Sequence, residues 1–266
     1  MRIRFFVFSS VVLCALAAAA CGADKSGPNT VDVVVHDTAI DIPATLKPGF
    51  TTFKIAGESD GDNHLIFVHA HTGVSLDQLK GGIAANDGSG DSLVTIVGGN
   101  GGMPKGSEAD VTFELKEGNY GVALYGGEGD LAASSYFTVH GNGKAPAPKA
   151  DGTIALGPGL VFSLPAGFDG KGTYEVVNKD GETHEAAFVR LADGQSVDDA
   201  KSWAASGFEG PPPLEPAGGF GALDGGERGW IQADLKPGKY AIICWIPGDD
   251  GLPHWVNGMS APFTVD

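Results

Sequence analysis

The sequence predicts an all-β protein made of two tandem β-sandwiches joined by a short linker. Gly supplies 42 of the 266 residues and Pro supplies 16, and both residues destabilise the interior of a helix. Apolar residues make up 42% of the chain, which is enough for packed cores. Short runs alternate apolar and polar residues at the period of a strand: 31–35, 51–55, 111–115, 173–177 and 229–233.

The two halves of the chain resemble each other. The sequence LKEGNY at 115–120 parallels LKPGKY at 235–240, which lies 120 residues later. The same offset relates His64 to His184. An internal match at a constant offset indicates two structurally similar units.

This match and the local composition predict the domain boundaries. We expect one domain over 31–140 and a second over 153–266. The segment between them, 141–152, is rich in Gly, Pro and Lys and has no apolar period, which is typical of a linker. One short helix is predicted in each domain, at 76–79 and at 197–204.

The charge balance excludes one class of function. The chain carries 33 acidic and 17 basic residues, a net charge of −16. Nucleic-acid binding requires a basic face that neutralises phosphates. The sequence has no such basic stretch, so we expect no nucleic-acid partner.

The N-terminus predicts export. Arg2 and Arg4 precede a predominantly apolar run over 5–20, which is shorter than the roughly 20 residues of a membrane-spanning helix. A basic start, an apolar run and small residues at its end are typical of a secretory signal. We therefore predict a signal peptide over 1–20.

Small residues immediately before Cys21 resemble the lipobox of bacterial lipoproteins. That resemblance implies cleavage before Cys21 and attachment of lipid to its thiol, with 21–30 as a lipid-anchored tether. The protein is then expected at the cell envelope, facing the periplasm or the exterior. The alternative is an ordinary signal peptide that is cut nearby at an Ala-x-Ala site, which also predicts export.

Only one thiol is left in the mature chain. Cys14 leaves with the signal peptide and Cys21 carries lipid, so Cys244 has no partner for an internal disulfide. Two interpretations remain for it, a buried apolar thiol or a metal ligand.

The residues after Cys244 favour the metal. Cys244, His254 and Met259 have the spacing C-x9-H-x4-M, and His184 lies upstream. A thiolate, two imidazoles and a thioether suit copper in both of its oxidation states. Zinc sites rarely include Met.

The same stretch resembles the cupredoxins, the plastocyanin and azurin family of blue-copper proteins. The match covers L-K-P-G-K-Y-x3-C at 235–244, the Cys–His–Met order and the strand APFTV at 261–265. Asn178, six residues before His184, also fits the plastocyanin-like pattern.

The resemblance implies a Greek-key β-sandwich of seven or eight strands with copper at one end. It implies His184, Cys244 and His254 as near-planar ligands and Met259 as the weak axial ligand, with copper as the cofactor. Glu185 departs from the pattern, since plastocyanins usually have Asn there to tie the two ligand loops together.

The first half lacks this ligand set. Leu124 stands at the position of Cys244, and no His, Cys or Met lies between Leu124 and Phe137. A type 1 site is therefore not expected there, and His64 is predicted to be structural. His69 and His71 alternate along a strand and lie on one side of it. They hold an adventitious metal or form an exposed strand end.

Two further features surround the predicted site. Trp245 and Trp255 either shield the metal from water or pack the ligand loop onto the domain. Pro253 and Trp255 predict an apolar rim around an exposed His254 edge. The Gly- and Pro-rich stretch 206–226 is predicted to be a surface loop.

Together these observations predict an exported, lipid-anchored electron carrier with one type 1 copper. Its partners would be an unidentified redox protein and, through the lipid, the membrane. The alternative is a metal-free or copper-storing binding module at the cell surface. A multicopper enzyme is disfavoured because such enzymes place a His beside the type 1 Cys, whereas Ile243 and Trp245 flank Cys244.

Overall fold

The computed structural model describes residues 27–125 and 130–266. The predicted signal peptide, Cys21 and all but the last four residues of the predicted tether lie outside these ranges. Within them, no helix is both long and apolar enough to cross a membrane.

Strands dominate the described ranges, which confirms the all-β prediction. Their bounds are β1 Asn29–His36, β2 Ala39–Asp41, β3 Thr45–Leu46, β4 Gly49–Gly57, β5 Leu65–Ala70, β6 Val94–Gly99, β7 Glu108–Leu115, β8 Gly118–Tyr125, β9 Leu131–Val139, β10 Gly152–Gly157, β11 Val161–Ser163, β12 Lys171–Asn178, β13 His184–Leu191, β14 Leu214–Leu223, β15 Arg228–Asp234, β16 Gly238–Ile243 and β17 Ser260–Val265. The helical elements are α1 Leu76–Ala85, α2 Val197–Ala205 and a short 3₁₀ turn, Asp91–Leu93.

Both predicted helices form, and both begin with a capping box. In α1 the Gln78 N–H donates to Ser75 Oγ and the Ser75 N–H donates to Gln78 Oε1, and Ser196 and Asp199 repeat this exchange at α2. Helix α1 runs six residues beyond the predicted end at 79, across Gly81 and Gly82. Packing of the α1 side chains against β5 outweighs the low helix propensity of these glycines.

The strand pairings of the first half recur in the second. Strand β1 pairs antiparallel with β2 and parallel with β4, and β10 pairs in the same two ways with β11 and β12. A five-stranded sheet, β3-β9-β8-β5-β6, covers the first half, and a four-stranded sheet, β14-β13-β16-β17, covers the second.

One long sheet runs through both halves. Its order is β11-β10-β12-β15-β7-β4-β1-β2, because β15 of the second half pairs antiparallel with β7 of the first. The register places Gly229 opposite Phe113 and Ile231 opposite Val111. The prediction of tandem sandwiches joined by a linker did not include this shared sheet.

The two smaller sheets pack on this long sheet and enclose one continuous apolar core. In the first half Phe53 of β4 lies 4.7 Å from Phe67 of β5, ring centre to ring centre, and 4.8 Å from Phe113 of β7. In the second half, Val176 and Ile231 of the long sheet belong to the same apolar cluster as residues of the four-stranded sheet.

The prediction of a surface loop over 206–226 is wrong across β14. This strand pairs with β13, and its residues 218–223 are buried. The backbone of β14 lies against the backbone of the first half. The Gly101 N–H donates to Gly219 O at 2.9 Å, and the Gly218 N–H donates to Gly102 O at 2.9 Å. A Cβ on Gly101 would lie 2.1 Å from the Gly218 oxygen, so this junction requires glycine.

Candidate metal centre

Two strands and one loop place His184, Cys244 and His254 at one end of the second half. His184 begins β13, and Cys244 follows β16 directly. Alternation along β16 turns Ile242 and Cys244 toward the main core, while Ala241 and Ile243 face helix α2.

The loop after Cys244 folds back on itself to bring His254 to the site. The His254 N–H donates to Ile246 O at 2.9 Å, and the Trp255 N–H donates to Cys244 O at 3.0 Å. These backbone bonds fix the imidazole beside the thiol.

The structure brings His184, Cys244 and His254 together. The two Nδ1 atoms lie 3.1 Å apart, and Cys244 Sγ lies 3.9 Å from Nδ1 of His184 and 3.5 Å from Nδ1 of His254. His184 and Cys244 are fully buried, and His254 is 4% exposed. Within 27–125 and 130–266, this is the one group of three His, Cys, Asp or Glu residues whose potential ligand atoms all lie within 4.8 Å.

These distances fit a bound metal ion. Zinc-sized metals bind imidazole nitrogen at about 2.0–2.1 Å and thiolate sulfur at about 2.3 Å. With bond angles of ~100–130°, two nitrogens then lie about 3.1–3.7 Å apart, and nitrogen and sulfur lie about 3.3–3.9 Å apart. The observed separations fall in these ranges, and two imidazoles with one thiolate are the donor set of a type 1 copper site.

A carboxylate orients the His184 imidazole from outside, and a second carboxylate lies farther off beside His254. His184 Nε2 lies 3.2 Å from Asp180 Oδ2, and His254 Nε2 lies 3.9 Å from Glu182 Oε2. A proton on Nε2 facing a carboxylate leaves the lone pair on Nδ1, the atom that faces the thiol. The His184 contact also holds the pKa of Asp180 below its usual range.

Asn178 shapes the loop that carries these carboxylates. Its amide donates to Glu182 O at 2.7 Å and to Leu223 O at 2.8 Å, while its oxygen accepts the Asp180 N–H at 2.9 Å. Asn178, which matches the plastocyanin-like pattern, therefore has a local structural role, since it holds Asp180 beside His184.

The metal-free thiol is protonated at neutral pH. Burial, and then the neighbouring Glu185 carboxylate, raise the pKa of Cys244 to about 12. Burial also lowers the pKa of His254, with His184 adding to the shift. A metal ion that binds here must displace the thiol proton.

Met259 occupies a position that suits the predicted axial ligand. Ile243 pairs with Ser260 in the β16–β17 ladder, so Met259 stands opposite Cys244 one step beyond the paired residues. Its backbone N–H donates to His254 O at 3.0 Å, and its side chain is fully buried in the same core cluster as Cys244. Its role as a ligand stays a prediction.

Glu185 ties the two ligand strands together, a role that the sequence did not reveal. Its Oε1 accepts the Trp245 N–H at 2.7 Å, and its own backbone N–H donates to Cys244 Sγ at 3.5 Å. A carboxylate oxygen accepts this bond as well as an amide oxygen would, so the departure from Asn preserves the tie. Burial raises the pKa of Glu185 to about 7, which the Trp245 N–H counteracts.

The predicted apolar rim around an exposed His254 edge is wrong. Trp255 is fully buried and lies in the apolar cluster of helix α2, so it packs the ligand loop onto the domain. A groove beside His254 is instead lined by carboxylates, from Asp180, Glu182, Asp249 and Asp250.

His69 and His71 both have partners within the protein. His69 Nε2 lies 3.2 Å from Glu117 O, and its ring stacks on Tyr120. His71 lies 3.2 Å from Ser92 O and 3.1 Å from the Thr95 hydroxyl. These contacts favour the strand-end interpretation over an adventitious metal.

Comparisons with known proteins place the chain beside copper proteins at low similarity. No family model matches the chain, and no curated protein matches it. Auracyanin A, a "blue" copper protein from Chloroflexus aurantiacus, is 17% identical over 43% of this chain and 100% of its own, with a TM-score of 0.30. Auracyanin from Roseiflexus castenholzii is 22% identical over 43% of this chain and 95% of its own, with a TM-score of 0.27.

A longer match covers most of this chain. The copper-containing nitrite reductase of Thermus scotoductus SA-01 is 14% identical over 90% of this chain and 68% of its own, with a TM-score of 0.25. Because identities and TM-scores are this low, the interpretation of the site rests on its donor atoms and their geometry.

Proposed function

We propose that this protein is an exported, lipid-anchored electron carrier that holds one type 1 copper in its second half. His184, Cys244 and His254 would hold the metal, and Met259 would contribute a further, weaker ligand. The observation that carries the proposal is the buried group of two Nδ1 atoms and one Sγ at separations of 3.1, 3.5 and 3.9 Å.

The surroundings of the ligands suit electron transfer. Copper, when bound, supplies a one-electron couple between Cu(I) and Cu(II). The chain holds each ligand from a second direction: Asp180 faces His184, Ile246 fixes the backbone of His254, and the Glu185 N–H fixes Cys244. Ligands fixed in this way move little when the oxidation state changes, so little reorganisation is needed.

The groove beside His254 is the natural place for a redox partner. His254 is the most exposed of the three grouped ligands, and four carboxylates line the groove next to it. An acidic surface favours a partner protein with a basic docking face and speeds their encounter at low salt. Transfer through His254 would then need only a short path to the partner.

A carrier is favoured over an enzyme by the residues beside Cys244. Ile243 and Trp245 flank it, whereas a second copper site connected to the type 1 copper would need a His there.

The lipid anchor on Cys21 rests on the N-terminal sequence alone.

Reconstitution with Cu(II) tests the proposal. The metal-free wild type should develop an intense blue absorption and retain one copper per chain after dialysis. Cys244→Ser should stay colourless, since the thiolate provides the charge-transfer band, while His69→Ala should match the wild type. A coloured Cys244→Ser variant, or two tightly held coppers, would contradict the assignment. A colourless wild type would favour the metal-free or copper-storing module.

A further inference from the structure

Three buried polar atoms without hydrogen-bond partners meet where the two halves touch. Among residues 27–125 and 130–266, four buried side-chain atoms lack such a partner. Three of them are Asp62 Oδ1, His64 Nε2 and Glu185 Oε2; the fourth is Trp255 Nε1. Buried polar groups are almost always satisfied, so a cluster of this kind requires an explanation.

Glu185 links this cluster to the candidate metal centre. His64 Nε2 lies 3.5 Å from Glu185 Oε2, within the range of an ion pair, and the Glu185 side chain is fully buried. The other oxygen, Oε1, accepts the Trp245 N–H at 2.7 Å, and the Glu185 backbone N–H reaches Cys244 Sγ. Glu185 thus connects His64 of the first half to the thiol of the second.

The His64 imidazole lies between two carboxylates. Burial lowers the pKa of His64, and the Asp62 carboxylate on the first-half side counteracts this shift, while the Glu185 carboxylate lies on the other side. A neutral imidazole that carries its proton on Nε2 still donates toward Glu185 Oε2. A buried carboxylate oxygen without a donor is costly. Since no other described group bonds to Glu185 Oε2, the imidazole is the group that can fix its orientation.

We propose that His64 is a positioning residue for the metal centre and acts through Glu185. The imidazole holds the carboxylate in the orientation that accepts the Trp245 N–H, and so keeps Cys244 and the Glu185 N–H in register. The first half, which lacks the ligand set, then sets the geometry of the site in the second half. This inference rests on the proposed copper site, but its first readout needs no metal.

The first readout is hydrogen exchange of the Trp245 amide in the metal-free protein. His64→Ala should make this amide exchange about tenfold faster, the factor expected when one hydrogen bond is loosened. His64→Gln, whose amide can donate to Glu185, should restore exchange to near the wild-type rate. His69→Ala removes the imidazole of β5 that is remote from the centre, and should leave the Trp245 amide unchanged.

The second readout is the reduction potential of the copper-loaded variants. His64→Ala should lower the potential, because a loosened Glu185 N–H withdraws less electron density from the thiolate. His64→Gln and His69→Ala should stay near the wild-type value. In a Glu185→Ala background, His64→Ala should add nothing to either readout.

Two results would overturn the role of His64. One is a His64→Ala variant with wild-type exchange and potential; the other is a His64→Gln variant that behaves like His64→Ala. A wild type that takes up no copper refutes the proposed function instead, and exchange at Trp245 then still decides whether His64 positions the thiol loop.

Discussion

Phe220→Ala should be among the most destabilising substitutions in this chain, because the Phe220 ring closes the junction between the halves. The ring is fully buried in β14, and its backbone forms a β-bridge with Asn100 of the first half. Glycine backbone forms part of its walls: a Cβ on Gly229 would lie 2.1 Å from the ring, and one on Gly98 would lie 2.9 Å from it.

The rigid walls set the size of the effect. Phe→Ala in a core costs about 3–5 kcal/mol, with the larger values where the cavity cannot collapse. Glycines have no side chains that could fill the space, so we expect a loss of about 4 kcal/mol in the free energy of unfolding.

Denaturant unfolding followed by circular dichroism measures this loss. The matched control is Phe208→Ala, because Phe208 is 41% exposed and its truncation should cost less than about 1.5 kcal/mol. If Phe220→Ala costs no more than the control, the junction is not a packed core and the reasoning fails.

The two halves should unfold in one transition because β7 and β15 share a sheet. All four tryptophans lie in the second half, so their fluorescence should change together with far-UV circular dichroism, and two separate midpoints would contradict this. Burial raises the pKa of Cys244 from 9.0 to about 12, so the metal-free protein should lose stability above about pH 9, where the unfolded thiol ionises and the folded one does not. Relative to wild type, Cys244→Ser should show a shallower loss in urea titrations across that range; an equal loss would refute the shift. Met259→Leu should keep the blue band but raise the reduction potential, as measured by redox titration, since the axial thioether only tunes the site; a colourless variant would contradict this. Cys21→Ser should leave an unanchored or unprocessed precursor, whereas wild type should resist high-salt washing and yield to detergent; release of wild type by salt alone would exclude the lipid.

Local patterns in the sequence were enough to predict the class of fold and the closeness of two of the three grouped site residues. Alternating apolar runs determine strands because a strand turns successive side chains to opposite faces. Cys244 and His254 lie ten residues apart on one strand end and its loop, so chain connectivity alone keeps them close. His184 could be identified as a site residue only through the internal repeat and the family resemblance.

The tertiary structure decided the contacts between the halves. The β7–β15 pairing, the burial of β14 and the approach of His64 to Glu185 join residues that are more than 100 positions apart. No local period or spacing encodes such pairs, because they depend on which sheet edge and which face meet after each half has folded. A glycine-rich stretch such as 214–223 is equally typical of an exposed loop and of a strand in close backbone contact. Only the close approach of the first-half backbone at Gly101 distinguishes the two. Sequence therefore determined the strands and the metal-binding chemistry of the second half, while packing determined that the first half lies against that chemistry.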